Sequence, residues 1–182
     1  GQPLHAGEGA VLSVVFGAEG RMLAAAGHDG YVRLWDLDDH DRLAWSFRAH
    51  ADDVASIALS PDGRTLASAG LVDGRVRLWD VHARKAAGRL PLGDDAAVSV
   101  DFSADGRTLA VGMDGGRVRL WDLRRREWAG PPLQVDTKGE SPPAILGVAF
   151  SSVGWALAAA VESDSGAAWL WDVRDHAQLG PP

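Results

Sequence analysis

Histidine, serine and aspartate are the residue types in this chain that could support nucleophilic or metal chemistry. The six histidines stand at positions 5, 28, 40, 50, 82 and 176, and they lack the spacing of a metal-binding motif such as HExxH. The chain has no cysteine, which excludes disulfides, thiolate ligands and a cysteine nucleophile. It also has no GxSxG elbow, no P-loop and no GxGxxG segment after a predicted strand. We therefore predict a protein that is not an enzyme and that binds no cofactor or metal.

These residues are positioned by a segment that recurs four times and ends in Trp-Asp. The segment reads VRLWD in three copies and WLWD in the fourth, and its pairs are Trp35 with Asp36, Trp79 with Asp80, Trp121 with Asp122 and Trp171 with Asp172. The tryptophans of successive pairs are 44, 42 and 50 residues apart. Self-similarity at a period of this length indicates a repeat architecture.

Each repeat contains three short apolar runs separated by turn sequences. In the second repeat the runs VASIAL, RTLASAG and RVRLWDV are separated by SPDG and LVDG. Such runs indicate β-strands, and Asp-Gly supplies the positive φ of a tight hairpin. A weaker fourth run follows each Trp-Asp pair, and its prolines suit an outer edge strand. The sequence predicts an all-β fold in one region, residues 1–182, with repeats at about 5–49, 50–92, 93–133 and 134–182.

With four tandem copies, these units resemble WD40 repeats, and the resemblance covers essentially the whole chain. It implies a β-propeller with four blades of four antiparallel strands in this chain. The resemblance further implies that these blades form part of a larger propeller or are completed by a second copy. The regular SPDGRTLA and VRLWD segments also resemble the bacterial, actinobacterial-type repeats that lie C-terminal to signalling NTPase or kinase domains.

A WD40 blade often carries a buried chain of hydrogen bonds through His, Ser or Thr, Asp and Trp. The second repeat matches this pattern in full, with His50, Ser68, Asp73 and Trp79. A buried indole N–H and a buried carboxylate are costly unless paired, so we expect this network to lock the turn between the second and third strands. The first repeat has His5 but carries Ala25 at the serine position, and the candidate aspartate of the fourth repeat is Asp164.

Acidic residues cluster in the loops that WD40 repeats place on one rim. The predicted partner-binding rim consists of Glu8, Asp52, Asp53, Asp94 and Asp95, with Asp136 and Glu140 in the long loop of the fourth repeat. We predict that this rim recruits a protein or peptide, with a basic partner favoured by charge. The alternative is that aspartate favours turns and that these charges are only solvated.

Composition narrows the class of partner and the compartment. The net charge is −7, from 18 basic and 25 acidic residues, which argues against binding to nucleic acid or to an anionic membrane. No apolar run approaches the roughly 20 residues that span a bilayer. We expect a cytoplasmic protein.

The sequence favours a non-catalytic interaction scaffold, acting as a sensor or recruitment module of a larger signalling protein. One alternative is a structural unit that forms a closed ring by homodimerisation through open blade edges, since the first and last repeats are as apolar as the others. The other alternative is an enzyme with a site in a propeller channel. That site would need reactive groups on the first strands, where only Asp101 and small hydroxyls occur.

Overall fold

The structure, a computed structural model, describes residues 3–17, 20–38, 42–135, 142–162 and 167–179. Within these ranges every regular element is a β-strand, and no α-helix is present. The chain divides into two compact units, Gly1–Gly93 and Asp94–Pro182. Each unit contains two repeats and is described by itself.

The first unit is built from two antiparallel four-stranded sheets, in which the order across the sheet is the order along the chain. Sheet one contains β1 (Val11–Phe16), β2 (Met22–Gly27), β3 (Tyr31–Asp36) and β4 (Arg42–Arg48). Sheet two contains β5 (Val54–Leu59), β6 (Thr65–Gly70), β7 (Val76–Asp80) and β8 (Lys85–Arg89). The first strand of each repeat is therefore an edge strand.

The second unit repeats this pattern with one interruption. Sheet three contains β9 (Ala97–Phe102), β10 (Thr108–Met113), β11 (Arg117–Asp122) and a divided outer strand, β12 (Glu127–Trp128) and β13 (Leu133–Gln134). Sheet four contains β14 (Ile145–Phe150), β15 (Ala156–Val161), β16 (Ala168–Asp172) and β17 (Ala177–Gln178). Pro131 and Pro132 lie between β12 and β13 and supply no N–H for pairing with β11. The predicted all-β fold, with four blade-like antiparallel sheets, is confirmed.

The turns between first and second strands are closed by their own side chains. Ser60 Oγ donates to Asp62 Oδ1 at 2.6 Å and accepts the Thr65 N–H at 2.9 Å, while Gly63 takes a φ of 68°. The hydrogen bonds from Ser60 and from the Arg64 N–H lower the pKa of the Asp62 carboxyl. The third repeat has the same arrangement, with Ser103, Asp105, Arg107 and Thr108. The SPDG and SADG sequences thus fix the register of the hairpins β5–β6 and β9–β10, whose turns they form.

The core of the first unit lies between its two sheets. Val32 and Leu34 of sheet one are buried in one cluster with Leu66 and Trp79 of sheet two. The ring of Phe47 lies against Trp79, with centroids 4.4 Å apart. Neither sheet has a helix to cover it within the described residues, so each sheet covers the other.

The core of the second unit is built in the same way. Val118 and Leu120 of sheet three are buried with Ile145, Leu157 and Trp171 of sheet four. Leu133, in the short strand β13, belongs to the same cluster. The divided outer strand therefore still contributes apolar area to the core.

A serine hydroxyl links the first strands of neighbouring sheets in both units. The Ile57 N–H of edge strand β5 donates to Ser13 Oγ at 3.1 Å. The Val148 N–H of edge strand β14 donates to Ser99 Oγ, also at 3.1 Å. Edge amides of a sheet have no neighbouring strand to bond to, so the serine of the preceding repeat satisfies them.

The turn after the Trp-Asp pair carries a left-handed residue in the last three repeats. These residues are Arg84, Arg126 and His176, with φ values of 52°, 57° and 52°. A side chain with a Cβ is disfavoured there by roughly 1–2 kcal/mol, and asparagine tolerates the conformation better than most residues.

Replacing Arg84 by asparagine is expected to stabilise the protein by about 0.5–1 kcal/mol, because it relieves this backbone cost. Arg84→Ala is the matched control, since it removes the same charge and keeps the cost. Urea unfolding followed by tryptophan fluorescence measures both free energies. Equal free energies of unfolding for the two variants would contradict a strained backbone at Arg84.

Candidate functional site

The structure brings four residues of the second repeat into one chain of hydrogen bonds. Trp79 Nε1 donates to Ser68 Oγ at 3.0 Å, and Ser68 Oγ lies 2.8 Å from His50 Nε2. His50 Nδ1 lies 3.0 Å from Asp73 Oδ2. With a neutral imidazole, Nδ1–H donates to the carboxylate and Nε2 accepts the serine hydroxyl, so every polar atom in the chain has a partner. The network ties the loop before β5 to β6, to the β6–β7 turn and to β7.

The surroundings of Asp73 stabilise its negative charge. Burial alone would raise the pKa of this carboxyl, but the hydrogen bonds from His50 and from the Arg75 N–H, together with the Arg77 charge, lower it below its ordinary value. Gly70 makes room for the pair, since a Cβ there would collide with Asp73 and with the His50 ring. A glycine at the end of β6 is therefore part of the network.

The order Ser68, His50, Asp73 is that of a hydrolase triad, but its setting does not suit catalysis. Ser68 is 0% exposed, and its oxygen already accepts the indole N–H of Trp79. A nucleophile must reach a substrate carbonyl that lies next to free oxyanion donors. A fully buried serine cannot do so.

The aspartates of the Trp-Asp pairs shape the turns that follow them. Each accepts a backbone N–H at 2.7–3.0 Å: Asp36 from Asp38, Asp80 from Ala83, Asp122 from Arg124 and Arg125, and Asp172 from Arg174. The Arg174 side chain also donates to Asp172 and lowers the pKa of that carboxyl to about 2. The paired tryptophans, Trp35, Trp79, Trp121 and Trp171, are all buried. The repeated pairs are thus explained by packing and turn geometry.

The first repeat replaces the network with an arginine. Arg33 pairs with Asp29 at 2.7 Å and donates to the Ala6 carbonyl at 2.6 Å. His5, which matches His50 in position, is exposed, and its side chain forms no hydrogen bond within the described residues. The physical reason is Ala25 at the serine position, which offers the ring no hydroxyl.

The third and fourth repeats also lack the full chain. In the third repeat, Arg119 lies over the Trp128 ring at 3.9 Å from its centroid. Burial lowers the pKa of this guanidinium, and its Nε has no hydrogen-bond partner among the described residues. In the fourth repeat, the predicted Asp164 lies outside the described residues.

Three segments of the predicted acidic rim come together in the first unit. The His28 N–H donates to the Ala10 carbonyl at 3.1 Å, and the His50 N–H donates to the Gly30 carbonyl at 3.1 Å. The His28 ring lies 2.7 Å from the Asp53 carboxylate. The loop before β1, the β2–β3 turn and the loop before β5 therefore form one surface, which we call the first-unit rim (residues 7–10, 28–30 and 50–53).

The acidic residues of the rim differ in how far they are already paired. Glu8 and Asp52 are exposed, and their side chains form no ion pair within the described residues, whereas Asp53 pairs with His28. In the second unit, Asp94 is exposed and Asp95 pairs with Arg117 at 2.5 Å. The predicted Asp136 and Glu140 lie outside the described residues. Sequence reasoning missed the partners of Asp53 and Asp95 because both lie more than twenty residues away.

The acid on a first strand, Asp101, is also engaged. Its Oδ1 accepts the Phe102 N–H at 2.9 Å, and its Oδ2 accepts the Phe150 N–H of sheet four at 2.6 Å. Burial raises the pKa of this carboxyl, against the lowering effect of the two amides. Both oxygens thus accept backbone amides, one of them across the contact between sheets three and four, which argues against Asp101 as a catalytic group.

A groove between the two sheets of the first unit was not predicted from the sequence. It encloses about 740 Å³ and is lined by apolar residues such as Met22 and Trp45, together with Asp62, Asp80 and Arg84. It forms where two sheets meet, so no continuous run of sequence marks it. Asp62 and Asp80 already accept hydrogen bonds from their own turns.

The described residues carry neither a metal cluster nor a membrane-spanning helix. Among those residues no group of three or more His, Asp or Glu side chains could hold a metal ion. Nor do they contain a helix of the length and apolarity that crossing a membrane requires.

Comparison with known families decides what these sheets are. The model of the WD domain, G-beta repeat family, matches residues 1–36, 42–80 and 90–122, which together exceed half of the chain. The chain belongs to the WD40-repeat family. The matched ranges carry three of the four Trp-Asp pairs, and sheet four has the same strand order as the others.

Several proteins with longer chains are similar to this WD40 chain. Transducin beta-like protein 3 of Rattus norvegicus is 35% identical over 100 residues, 54% of this chain and 12% of that protein. Centriole proteome protein 16 of Chlamydomonas reinhardtii is 40% identical over 83 residues, 43% of this chain and 4% of that protein. WD repeat-containing protein 91 of Pongo abelii is 36% identical over 73 residues, 40% of this chain and 10% of that protein. The matched segment is thus a small part of each relative.

Replacing Ser68 by alanine is expected to destabilise the protein by about 2–4 kcal/mol, because it leaves His50 Nε2 and the indole N–H of Trp79 buried without a partner. Ser46→Ala, an exposed serine in β4, is the matched control and should change little. Urea unfolding measures both. A cost for Ser68→Ala no larger than that for Ser46→Ala would contradict the structural role of the network.

Replacing Asp101 by asparagine is expected to give a variant that gains stability relative to the unaltered chain as the pH rises from about 3 to 6. The pKa of Asp101 is raised on folding, so its proton is held more tightly in the folded state and its contribution is lost as the pH rises. Asp105→Asn, which removes a carboxyl with a lowered pKa, should show the opposite trend. Urea unfolding across this pH range measures both, and a trend shared by the two variants would contradict the account.

Proposed function

We propose that this chain is a non-catalytic WD40 scaffold that recruits a basic peptide or protein domain through its first-unit rim. WD40 repeats generally serve as protein-interaction modules, and the similar proteins are WD-repeat proteins. The observation that carries the proposal is the pair of exposed carboxylates, Glu8 and Asp52, which are not neutralised within the described residues.

The rim is held rigidly, which favours binding because little order must be gained on association. Arg48 donates to the carbonyls of His50 and Ala51, at 3.3 Å and 2.6 Å, and so fixes the loop that carries Asp52. His50 is further held by Ser68 and Asp73. The buried network thus positions an exposed carboxylate that takes no part in it.

Charge supports a basic partner. An arriving lysine or arginine would meet Glu8 and Asp52 directly and could compete with His28 for Asp53, which is neutralised only when His28 is protonated. The groove of the first unit is a weaker candidate, since Asp62 and Asp80 there already accept hydrogen bonds and Arg84 is nearby. The rim is therefore the surface on which we place the partner.

We further propose that the scaffold is a sensor or recruitment module of a larger cytoplasmic signalling protein. The similar proteins are several times longer than the segment that matches, which suits a module within a longer chain. A cytoplasmic location suits a chain without cysteines. The relatives named above are eukaryotic, and the resemblance to bacterial repeats stays a prediction.

Self-assembly is the second candidate function. It is favoured by apolar side chains that are exposed on sheet one and sheet four, among them Phe16 and Leu170. Exposed apolar patches on a sheet commonly mark an interaction surface. This function would involve the faces of the sheets and leave the rim free.

A labelled peptide of alternating arginine and glycine tests the rim by fluorescence anisotropy. The unaltered chain should bind it, and the variant with Glu8→Gln and Asp52→Asn should bind about three- to tenfold more weakly, because each exposed charge pair is worth up to about 1 kcal/mol. Binding should also weaken as salt rises to about 150 mM.

Asp175→Asn is the control, since it removes an exposed carboxylate of the β16–β17 turn. A matching peptide of glutamate and glycine should not bind. Equal binding of both peptides, or no difference between the double variant and Asp175→Asn, would rule out the rim as the basic-partner site.

A further inference from the structure

The β6–β7 turn of the second repeat carries two exposed apolar side chains at its tip. Leu71 is 47% exposed and Val72 is 69% exposed. Neither side chain belongs to the buried core of the first unit. Tight turns favour Gly, Asn, Asp and Ser, so turn chemistry does not account for a Leu-Val pair at this place. Apolar side chains that are exposed together commonly mark a surface for contact with a partner.

This turn is one residue longer than its counterparts in the first and third repeats. In sheet two, six residues lie between Ala69 and its partner Val76. The equivalent pairs of sheets one and three, which end on Val32 and Val118, enclose five residues each. The first repeat has one residue, His28, before the aspartate of the turn, where the second repeat has the Leu-Val pair. The second repeat has therefore gained an apolar residue at the tip of a turn.

The turn is held against the loop that carries the rim carboxylates. The Leu71 N–H donates to the Asp53 carbonyl at 2.9 Å. At the base of the turn, Asp73 lies 3.0 Å from the ring of His50, which belongs to the same loop as Asp53. The exposed Asp52 is the neighbour of Asp53 in the chain. The apolar tip therefore borders the first-unit rim at its carboxylates, and both are fixed in place before a partner arrives.

We propose that the partner of the first-unit rim is an extended basic segment that also carries a large apolar side chain. The apolar side chain packs on Leu71 and Val72, while a lysine or arginine near it in the same segment meets Asp52. The inference rests on the rim function proposed above and specifies the chemistry of its partner.

The geometry of an extended peptide suits this division of contacts. Its residues two apart place their side chains on the same face, about 7 Å from each other. One peptide can therefore reach two adjacent segments, the loop of Asp52 and the β6–β7 turn, with neighbouring side chains of one face. Arg75 is also exposed in this turn and would repel a cation there, so an apolar residue is the better occupant of the tip.

Two labelled peptides of equal charge test the inference by fluorescence anisotropy with the complete chain. One repeats Arg-Gly-Leu-Gly and the other repeats Arg-Gly-Ser-Gly, so the two differ only in the side chain that they offer to the tip. The unaltered chain should bind the leucine peptide about three- to tenfold more tightly, because the leucine buries apolar area on the turn. This ratio should persist as salt rises to about 150 mM, since salt screens the charge contacts that both peptides share.

Val72→Ser should remove the preference for the leucine peptide and leave the binding of the serine peptide unchanged. Val153→Ser is the matched control, since Val153 is 68% exposed in the β14–β15 turn of the second unit, and it should keep the preference. Both side chains are largely exposed, so both variants should fold, as circular dichroism checks.

The outcomes separate the apolar contact from the charged rim. Equal affinity of the unaltered chain for the two peptides, or a preference that Val72→Ser retains as fully as Val153→Ser, would overturn the apolar contact. The rim is tested separately by the serine peptide, which the variant with Glu8→Gln and Asp52→Asn should bind more weakly. If the unaltered chain binds neither peptide, the proposed function and this inference both fail.

Discussion

The structure depends on the burial of one sheet face against the next sheet. A four-stranded antiparallel sheet has two faces, and the described residues contain no helix that could cover either of them. The apolar residues of the middle strands, such as Leu34 and Leu66 in the first unit and Leu120 and Leu157 in the second, are buried only because two sheets meet. Each such leucine contributes about 2–3 kcal/mol when it leaves water. The repeat is therefore the unit of sequence, but one repeat cannot bury its apolar face alone.

The polar groups of the chain mainly serve this packing. Serines 13 and 99 satisfy the amides of edge strands, and Asp101 satisfies one more between sheets three and four. In the second repeat, His50 and Ser68 bond to each other within a buried network. The surface is left for function. The sheets hold its loops in fixed positions, and these loops carry exposed carboxylates such as Asp52. A rigid frame with variable loops suits recognition of a partner better than chemistry.

Much of the fold could be predicted from the sequence because it is encoded locally and four times over. The Trp-Asp pairs, the Asp-Gly turns and the alternating apolar runs each act within one repeat, so their spacing predicts strands and hairpins directly. Contacts between repeats could not be predicted in this way. The pairing of Asp53 with His28 joins the second repeat to the first and depends on how distant segments meet.

The histidine of the first repeat illustrates the same limit. His5 stands at the position that matches His50, but burial of a histidine is favourable only when each ring nitrogen has a hydrogen-bond partner. With Ala25 in place of a serine, Arg33 takes Asp29 and His5 stays exposed. Motif spacing predicts the position of a side chain in the repeat, and the available hydrogen-bond partners decide whether that side chain is buried.

Native-state hydrogen exchange of the intact protein tests most directly whether each unit is stabilised between its sheets. The account predicts that the central amides of β2 and β3 exchange with the same free energy of opening as those of β6 and β7, because neither sheet keeps its core without the other. It also predicts protection of the Ile57 amide, which bonds to a serine of the other sheet. Exchange of sheet one through an opening that leaves sheet two fully protected would contradict the central claim.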